Sequence, residues 1–239
     1  DVYKRQIESG AKQECLIMGK GIAFGKKIGQ TIEVPQDARI YSLKELTDRG
    51  DAREIINSVS PVCLELANEI LREAEAEFGD IDRSILFPIA DHLDFAIRRL
   101  QRGEQISNPL TEDIRILFYK EYKVAGCIAP MLKEKFQIEL DEHETGYIAL
   151  HVHSAIVDEK VSQAMEIART VRECISLVEK ETGNSIDVMS LAYNRLMNHV
   201  RYMVARAIHG EKLKMNLNDY MSVKFPEACL LYTSPSPRD

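Results

Sequence analysis

The spacing of apolar residues along the chain changes from a strand pattern to a helix pattern near residue 53. Before this point two short runs have the two-residue period of a strand. In the first, Cys15 and Ile17 alternate with Leu16 and Met18; the second, residues 31–34, comes before Pro35, and a glycine-rich stretch separates the two. From about Arg53 onward, apolar residues recur every three or four positions, the period of an amphipathic helix. The pattern therefore predicts a small antiparallel β module followed by a larger helical region.

Four helical stretches are predicted in this larger region. The first runs from about Arg53 to a stop at Gly79, and the second from Ile85 to Leu100 with a stop at Gly103. The third runs from Leu110 to Phe136 with breaks near Gly126 and Pro130. The fourth begins after Asp141, which is its predicted N-cap. No strand pattern interrupts them, so the fold class is mainly α, built as a helical bundle.

A repeat divides the helical region into two tandem units. HLDFAIRRLQRGE at residues 92–104 aligns with HVRYMVARAIHGE at residues 199–211, an offset of 107. At the same offset the counterpart of His151 would fall at position 258, beyond the last residue. We therefore expect one complete helical unit and a truncated second one.

Composition is that of an ordinary soluble globular protein. The 239 residues include 31 Lys and Arg against 38 Asp and Glu, with 45% hydrophobic residues and a net charge of −7. No apolar run is long enough for a membrane-spanning helix, so we expect a cytoplasmic protein without membrane insertion. Five widely separated cysteines form no CxxC pair, which predicts reduced thiols, most of them buried, and no metal site.

The two ends and the β module differ from the rest. DVYKRQ at residues 1–6 and the last eleven residues, 229–239, resemble translated sequencing adapters, so we expect the natural segment to run from Ile7 to Ala228.

The charge of the β module differs from that of the helical region. Residues 7–44 hold six basic and four acidic side chains, whereas the remainder is acidic. A small basic module thus precedes a larger acidic one.

Histidine is the residue type that the repeat singles out. His92 and His199 occupy the same position of the duplicated helix, at the border of its apolar face. GxSxG, Walker A, GxGxxG and HExxH motifs are absent, and the two rings of HVH at 151–153 point in different directions on a helix. We therefore expect a regulator rather than an enzyme, with no cofactor, and with histidine phosphorylation as a switch.

Two interpretations of the basic module stay open on the residues alone. Lys20, Lys26 and Lys27 surround Phe24, and the intervening glycines let a backbone approach closely, which suits nucleic-acid contact. The alternative is a soluble hairpin in which Phe24 fills a small core.

Four strings carry a resemblance to a known family. ECLIMGKGIAFGKKIG at 14–29 resembles the second half of the CAT RNA-binding domain of the BglG/SacY transcriptional antiterminators. ADHLDFAIRR, ETGYIALHVHSA and MNHVRYMVARAI resemble the phosphotransferase-system regulation domains, or PRDs, of the same family. The resemblance implies a dimeric regulator that binds an RNA antiterminator hairpin in a nascent leader transcript and prevents termination of sugar-utilisation operons.

The resemblance also implies the roles of particular residues. The RNA-facing set would be Gly19, Lys20, Gly21, Phe24, Lys26 and Lys27. The phosphorylation sites would be His92 and His151 in the first PRD and His199 in the second, with Asp91, Arg98, Arg99 and Arg206 as neighbours. Phosphoryl donors would be the phosphocarrier protein HPr and a sugar-specific enzyme II.

The implied domain boundaries follow from these motifs. They are a partial CAT domain at 7–44, a linker at 45–54, the first PRD at 55–160 and a partial second PRD at 161–228. Two alternatives are a PRD-containing DNA-binding activator, which would need a helix-turn-helix, and a phosphocarrier component of the phosphotransferase system. Neither alternative accounts for MGKGIAF at residues 18–24.

Overall fold

The computed structural model divides into two compact units, residues 1–201 and 202–239. It describes residues 2–8, 14–20, 22, 25–27, 29–36, 38–42, 46–47, 50–51, 55, 58–157, 159–186, 190–208 and 210. The C-terminal segment expected to be adapter-derived, 229–239, lies outside these residues. Among them the fold is mainly α with a small antiparallel sheet, as predicted.

The β module is a three-stranded antiparallel sheet with the order β1-β2-β3. Its strands are β1 (Val2–Glu8), β2 (Glu14–Lys20) and β3 (Arg39–Ser42), and a separate ribbon pairs β4 (Leu46–Thr47) with β5 (Gly50–Asp51). Residues 2–6, for which we expect an adapter origin, belong to β1 and pair with β2. Their origin stays a prediction.

The prediction of a strand at residues 31–34 is wrong. These residues are irregular, and the third strand comes after Pro35 instead. Val34 is exposed, whereas Tyr41 in β3 is buried against the helices. Alternation alone does not make a strand, because one face of the strand must also find a core to cover.

Helix α1 (Pro61–Phe78) begins later than its apolar pattern predicts. Ile55 and Ser58 are helical, but the chain turns at Val59, and the Ser60 hydroxyl accepts the Cys63 N–H as an N-cap. Pro61 has no N–H to donate and suits the first helical position. The predicted continuous helix from Arg53 is therefore wrong, while its stop at Gly79, where φ is +86°, is confirmed.

The following helices complete a bundle. They are α2 (Leu86–Gln101), α3 (Thr111–Leu117), α4 (Tyr119–Ala125), α5 (Ala129–Phe136), α6 (Glu142–Ile156), α7 (Val161–Thr182) and α8 (Leu191–Ile208). The predicted break near Gly126 is present as a 3₁₀ turn, and the predicted N-cap at Asp141 is confirmed. A further break at Phe118 was not predicted.

The sheet and the first helices share one core. Leu16, Met18 and Tyr41 from the sheet belong to the same buried cluster as Leu66 of α1 and Phe87 of α2. The Tyr41 and Phe87 rings meet edge to face with centroids 6.1 Å apart. The apolar face of the sheet is therefore covered by helices within the same chain.

A polar seam borders this shared core. The Tyr41 hydroxyl donates to Asn68 Oδ1 at 2.8 Å and accepts from Arg83 at 3.3 Å. Glu75 pairs with Arg83 and lies 3.6 Å from Arg39. The hydrogen bond from Arg83 lowers the pKa of Glu75, and burial raises the pKa of Tyr41. Charge and hydrogen bonding thus fix β3 against α1.

The helices of the repeat fall at the expected positions. Helix α8 contains the counterpart of the α2 sequence, and α7 ends at Gly183 with φ of +67°, as α1 ends at Gly79. Helix α7 is held to α3 through Arg172, which lies 3.7 Å from the buried carboxylate of Asp113. Burial raises the pKa of Asp113.

The cysteines within the described residues are free thiols: Cys15, Cys63, Cys127 and Cys174. The prediction that most of them are buried is wrong here, because only Cys63 is buried and the other three are partly exposed. Burial raises the pKa of Cys63 to about 11 and that of Cys127 to about 12, which disfavours the reactive thiolate. Cys229 lies outside the described residues.

Within the described residues, every helix is too short or too polar to cross a bilayer.

The cap of α6 yields a stability prediction. Asp141 Oδ1 accepts the Glu144 N–H at 2.8 Å, so Asp141→Ala leaves a helix-terminal donor without its partner. We expect Asp141→Ala to lower the free energy of unfolding by about 1 kcal/mol in urea denaturation. Asp141→Asn keeps a capping oxygen and is the control, and equal losses in both variants would contradict the capping role.

Candidate functional site

His92 lies on α2 where the helix meets the bundle. Its neighbours Leu93 and Ala96 are buried, and the His92 side chain itself is 14% exposed. This is the border position that the apolar period of the sequence predicts. An imidazole here can reach solvent on one side and the interior of the bundle on the other.

Helix α6 brings the second predicted histidine to the same place. The rings of His151 and His92 have centroids 5.4 Å apart, and the Tyr147 ring lies 5.9 Å from that of His92. Tyr147 and His151 share one face of α6 because they are four positions apart. The structure thus brings together His92 and His151, which are 59 positions apart in the sequence.

A buried carboxylate lies beneath this histidine pair. The Glu144 side chain has no exposed surface, its Oε1 pairs with the Arg99 guanidinium, and its Oε2 lies 3.3 Å from His92 Nε2. Oε2 is buried without a hydrogen-bond partner. Glu144 was not predicted as a site residue, although the seven-residue spacing from Glu144 to His151 places both on one face of α6.

The two adjacent arginines of α2 have different environments. Arg99 is 12% exposed, pairs with Glu144 and lies over the Phe95 ring, 5.0 Å from its centroid. Arg98 is 60% exposed and pairs with Asp94 at 2.7 Å. Only Arg99 of these two therefore compensates the charge beneath the histidines.

The other predicted neighbours of the histidines are more dispersed. Asp91 is half-buried on α2, directly before His92 in the chain. His199 is exposed on α8, a different helix from those that carry His92 and His151. Arg206 belongs to the second compact unit and is also exposed. Their roles stay predictions.

The remaining histidines of the bundle lie in structural contacts. His153 is buried with Nδ1 3.0 Å from Glu121 and Nε2 3.5 Å from Glu159, so the two rings of HVH do face different neighbours. His143 Nδ1 lies 2.6 Å from the Thr111 hydroxyl. Across the described residues, no group of three His, Cys, Asp or Glu side chains is arranged to hold a metal ion.

The predicted RNA-facing residues follow the end of β2. Gly19 and Lys20 close this strand, and the side chains of Lys26 and Lys27 are exposed. A Cβ atom at Gly19 would lie 2.5 Å from Ile22 Cδ1, so glycine lets the chain fold back over the buried Ile22. Gly21, Phe24 and the Lys20 side chain lie outside the described set.

Two family descriptions match adjacent parts of the chain. Residues 7–49 match the CAT RNA binding domain, and residues 64–155 match the PRD domain. The first match contains strands β2 and β3 and the predicted RNA-facing residues. The second contains His92, Glu144 and His151. The chain therefore belongs to the class of proteins in which an RNA-binding module is joined to a PRD regulation domain.

Named relatives are similar to this chain over most of its length. The chain is 27% identical to transcription antiterminator LicT of Bacillus subtilis, over 84% of this chain and 73% of LicT. It is 26% identical to the beta-glucoside operon antiterminator of Dickeya chrysanthemi, over 82% of this chain and 69% of that protein. The crystal structure of GlcT CAT-PRDI superposes with a TM-score of 0.53 at 26% identity, covering 64% of this chain and 92% of GlcT CAT-PRDI. The chain belongs to the BglG/SacY-type transcription antiterminators.

The environment of Glu144 predicts unequal effects for the adjacent arginines. Arg99→Gln leaves a buried carboxylate without its cation, and we expect a loss of about 3–5 kcal/mol in the free energy of unfolding. Arg98→Gln removes an exposed pair four residues apart and should cost no more than about 0.5 kcal/mol. Urea denaturation of both variants checks this, and similar losses would refute the assignment of Arg99 to Glu144.

Proposed function

We propose that this chain is a transcription antiterminator that binds an RNA hairpin in a nascent leader transcript and is controlled by histidine phosphorylation. Bound to the hairpin, it would prevent termination and allow a sugar-utilisation operon to be transcribed. The relatives support this function, since they include an antiterminator of a beta-glucoside operon. The CAT match at residues 7–49 favours RNA over DNA as the nucleic acid.

The observation that carries the regulatory half of the proposal is the pairing of His92 with His151. Two imidazoles from different helices lie 5.4 Å apart, centroid to centroid, inside the PRD match. In the proposed reaction, a ring nitrogen of the chain attacks phosphorus on a phosphorylated donor. A new N–P bond forms, the bond to the donor breaks, and the donor leaves dephosphorylated.

The proposed donors are the phosphocarrier protein HPr and a sugar-specific enzyme II, and the proposed active form is a homodimer. The added phosphoryl group carries about two negative charges at neutral pH. Placed at His92, these charges lie next to the buried Glu144–Arg99 pair. A change of charge here alters the contact between α2 and α6. In this way the supply of sugar, acting through phosphorylation, changes the packing of the domain. His199 is proposed as a further acceptor in the second PRD.

Phosphotransfer tests the regulatory half. We expect the purified chain, incubated with phosphorylated HPr and enzyme II, to take up acid-labile phosphate at His92, His151 or His199, located by mass spectrometry of peptides kept at alkaline pH. His92→Ala and His151→Ala should each remove the label from the substituted position. His153→Gln is the control, because His153 is buried between two carboxylates and should not accept phosphate. A folded chain that takes up none would refute this half.

RNA binding tests the other half. Lys26 and Lys27 are exposed after β2, so Lys26→Ala/Lys27→Ala should reduce affinity for the antiterminator hairpin and lower the salt slope of log K by about 2. Lys123→Ala/Lys133→Ala removes two exposed charges from the helices and serves as the matched control. Filter binding at several salt concentrations measures both. Equal affinity and slope in the two double variants would place the RNA site elsewhere.

A further inference from the structure

The buried carboxylate of Glu144 has two neighbours and one compensating charge. Its Oε1 pairs with Arg99, and its Oε2 lies 3.3 Å from His92 Nε2 with no hydrogen bond of its own. A neutral imidazole leaves Arg99 as the sole full positive charge among these three side chains. The arrangement is balanced as long as the histidines carry no negative charge.

A negative group on His92 would upset this balance. It would lie beside Glu144 in a poorly solvated space, where charges interact strongly, and would compete with Glu144 for the Arg99 guanidinium. If Arg99 turns to the new anion, Glu144 is left as a buried charge without a partner. If Arg99 stays with Glu144, the two anions repel each other.

We propose that Glu144 is the residue that converts phosphorylation of His92 into a loosened contact between α6 and α2. His92 and Arg99 belong to α2, while Glu144 and His151 belong to α6, so either response of Arg99 acts across the same pair of helices. The regulatory meaning rests on the proposed function. The charge conflict itself depends only on the positions of His92, Arg99 and Glu144.

A negative side chain at position 92 tests the conflict without any phosphoryl donor. His92→Asp and His92→Asn have nearly the same shape and differ in charge, so the difference between their Tm values isolates the charge. With Glu144 present, we expect His92→Asp to melt at least about 4 °C below His92→Asn. With Glu144→Gln, the difference should vanish or reverse, because the introduced aspartate can then pair with Arg99.

Glu142→Gln is the matched control background. Glu142 is exposed in the first turn of the same helix, so its replacement changes the net charge equally and leaves the buried carboxylate in place. The Tm difference between His92→Asp and His92→Asn should be unchanged in this background. If it shrinks as much as with Glu144→Gln, general charge rather than Glu144 is responsible, and the proposal is wrong.

A second background keeps the test decisive if Glu144→Gln does not fold. Arg99→Gln/Glu144→Gln replaces both buried charges by neutral amides of similar shape, which proteins tolerate better than loss of one partner. There the Tm difference between the two position-92 variants should fall to less than half of its value in the parent chain. An undiminished difference would overturn the proposal.

The phosphorylated chain supplies the final comparison. Enzymatic phosphorylation should lower the Tm of the parent chain and lower it less, or not at all, for Glu144→Gln. If neither chain takes up phosphate, the proposed function fails, yet the comparison of His92→Asp with His92→Asn still decides whether Glu144 senses charge. If phosphate is incorporated and both chains shift equally, the proposed function stands and the role of Glu144 is refuted.

Discussion

A fully buried carboxylate is the constraint on which the regulation domain depends. Glu144 has no contact with solvent, so its charge must be met inside the bundle, and Arg99 meets it across the contact between α6 and α2. The pair does not have to add net stability in order to determine the structure. It favours one arrangement of α2 and α6 over others, because any arrangement that separates Arg99 from Glu144 leaves a charge uncompensated.

The same pair fixes the geometry of the two histidines. His92 lies seven residues before Arg99 on α2, and His151 lies seven residues after Glu144 on α6, so each histidine shares a helix face with one member of the pair. The pairing of Arg99 with Glu144 therefore brings the His92 and His151 rings together, with their centroids 5.4 Å apart. The histidines remain at the border of the core, where a donor protein can approach.

The helices could be predicted from the sequence wherever the determining contacts are local. The N-cap at Asp141, the stop at Gly79 and the repeat of the His92 helix all follow from residues a few positions apart. Glu144 was missed because its partner Arg99 is 45 positions away. The break at Phe118 was missed for a similar reason. The buried Phe118 ring contacts the ring of His153, which is 35 positions away in the sequence, and the two ring centroids are 4.6 Å apart.

Helix α2 links the histidine site to the RNA-binding module. Phe87 near its start contacts Tyr41 of β3, while His92 and Arg99 further along the helix face α6. Because α2 is one continuous helix, a shift of α2 that relieves the proposed charge conflict at Glu144 would also move Phe87 against the sheet. The hydrogen bonds of Tyr41 with Asn68 and Arg83 make that contact directional rather than merely apolar. We therefore expect the proposed regulation by charge and the proposed RNA binding to be coupled through the position of a single helix.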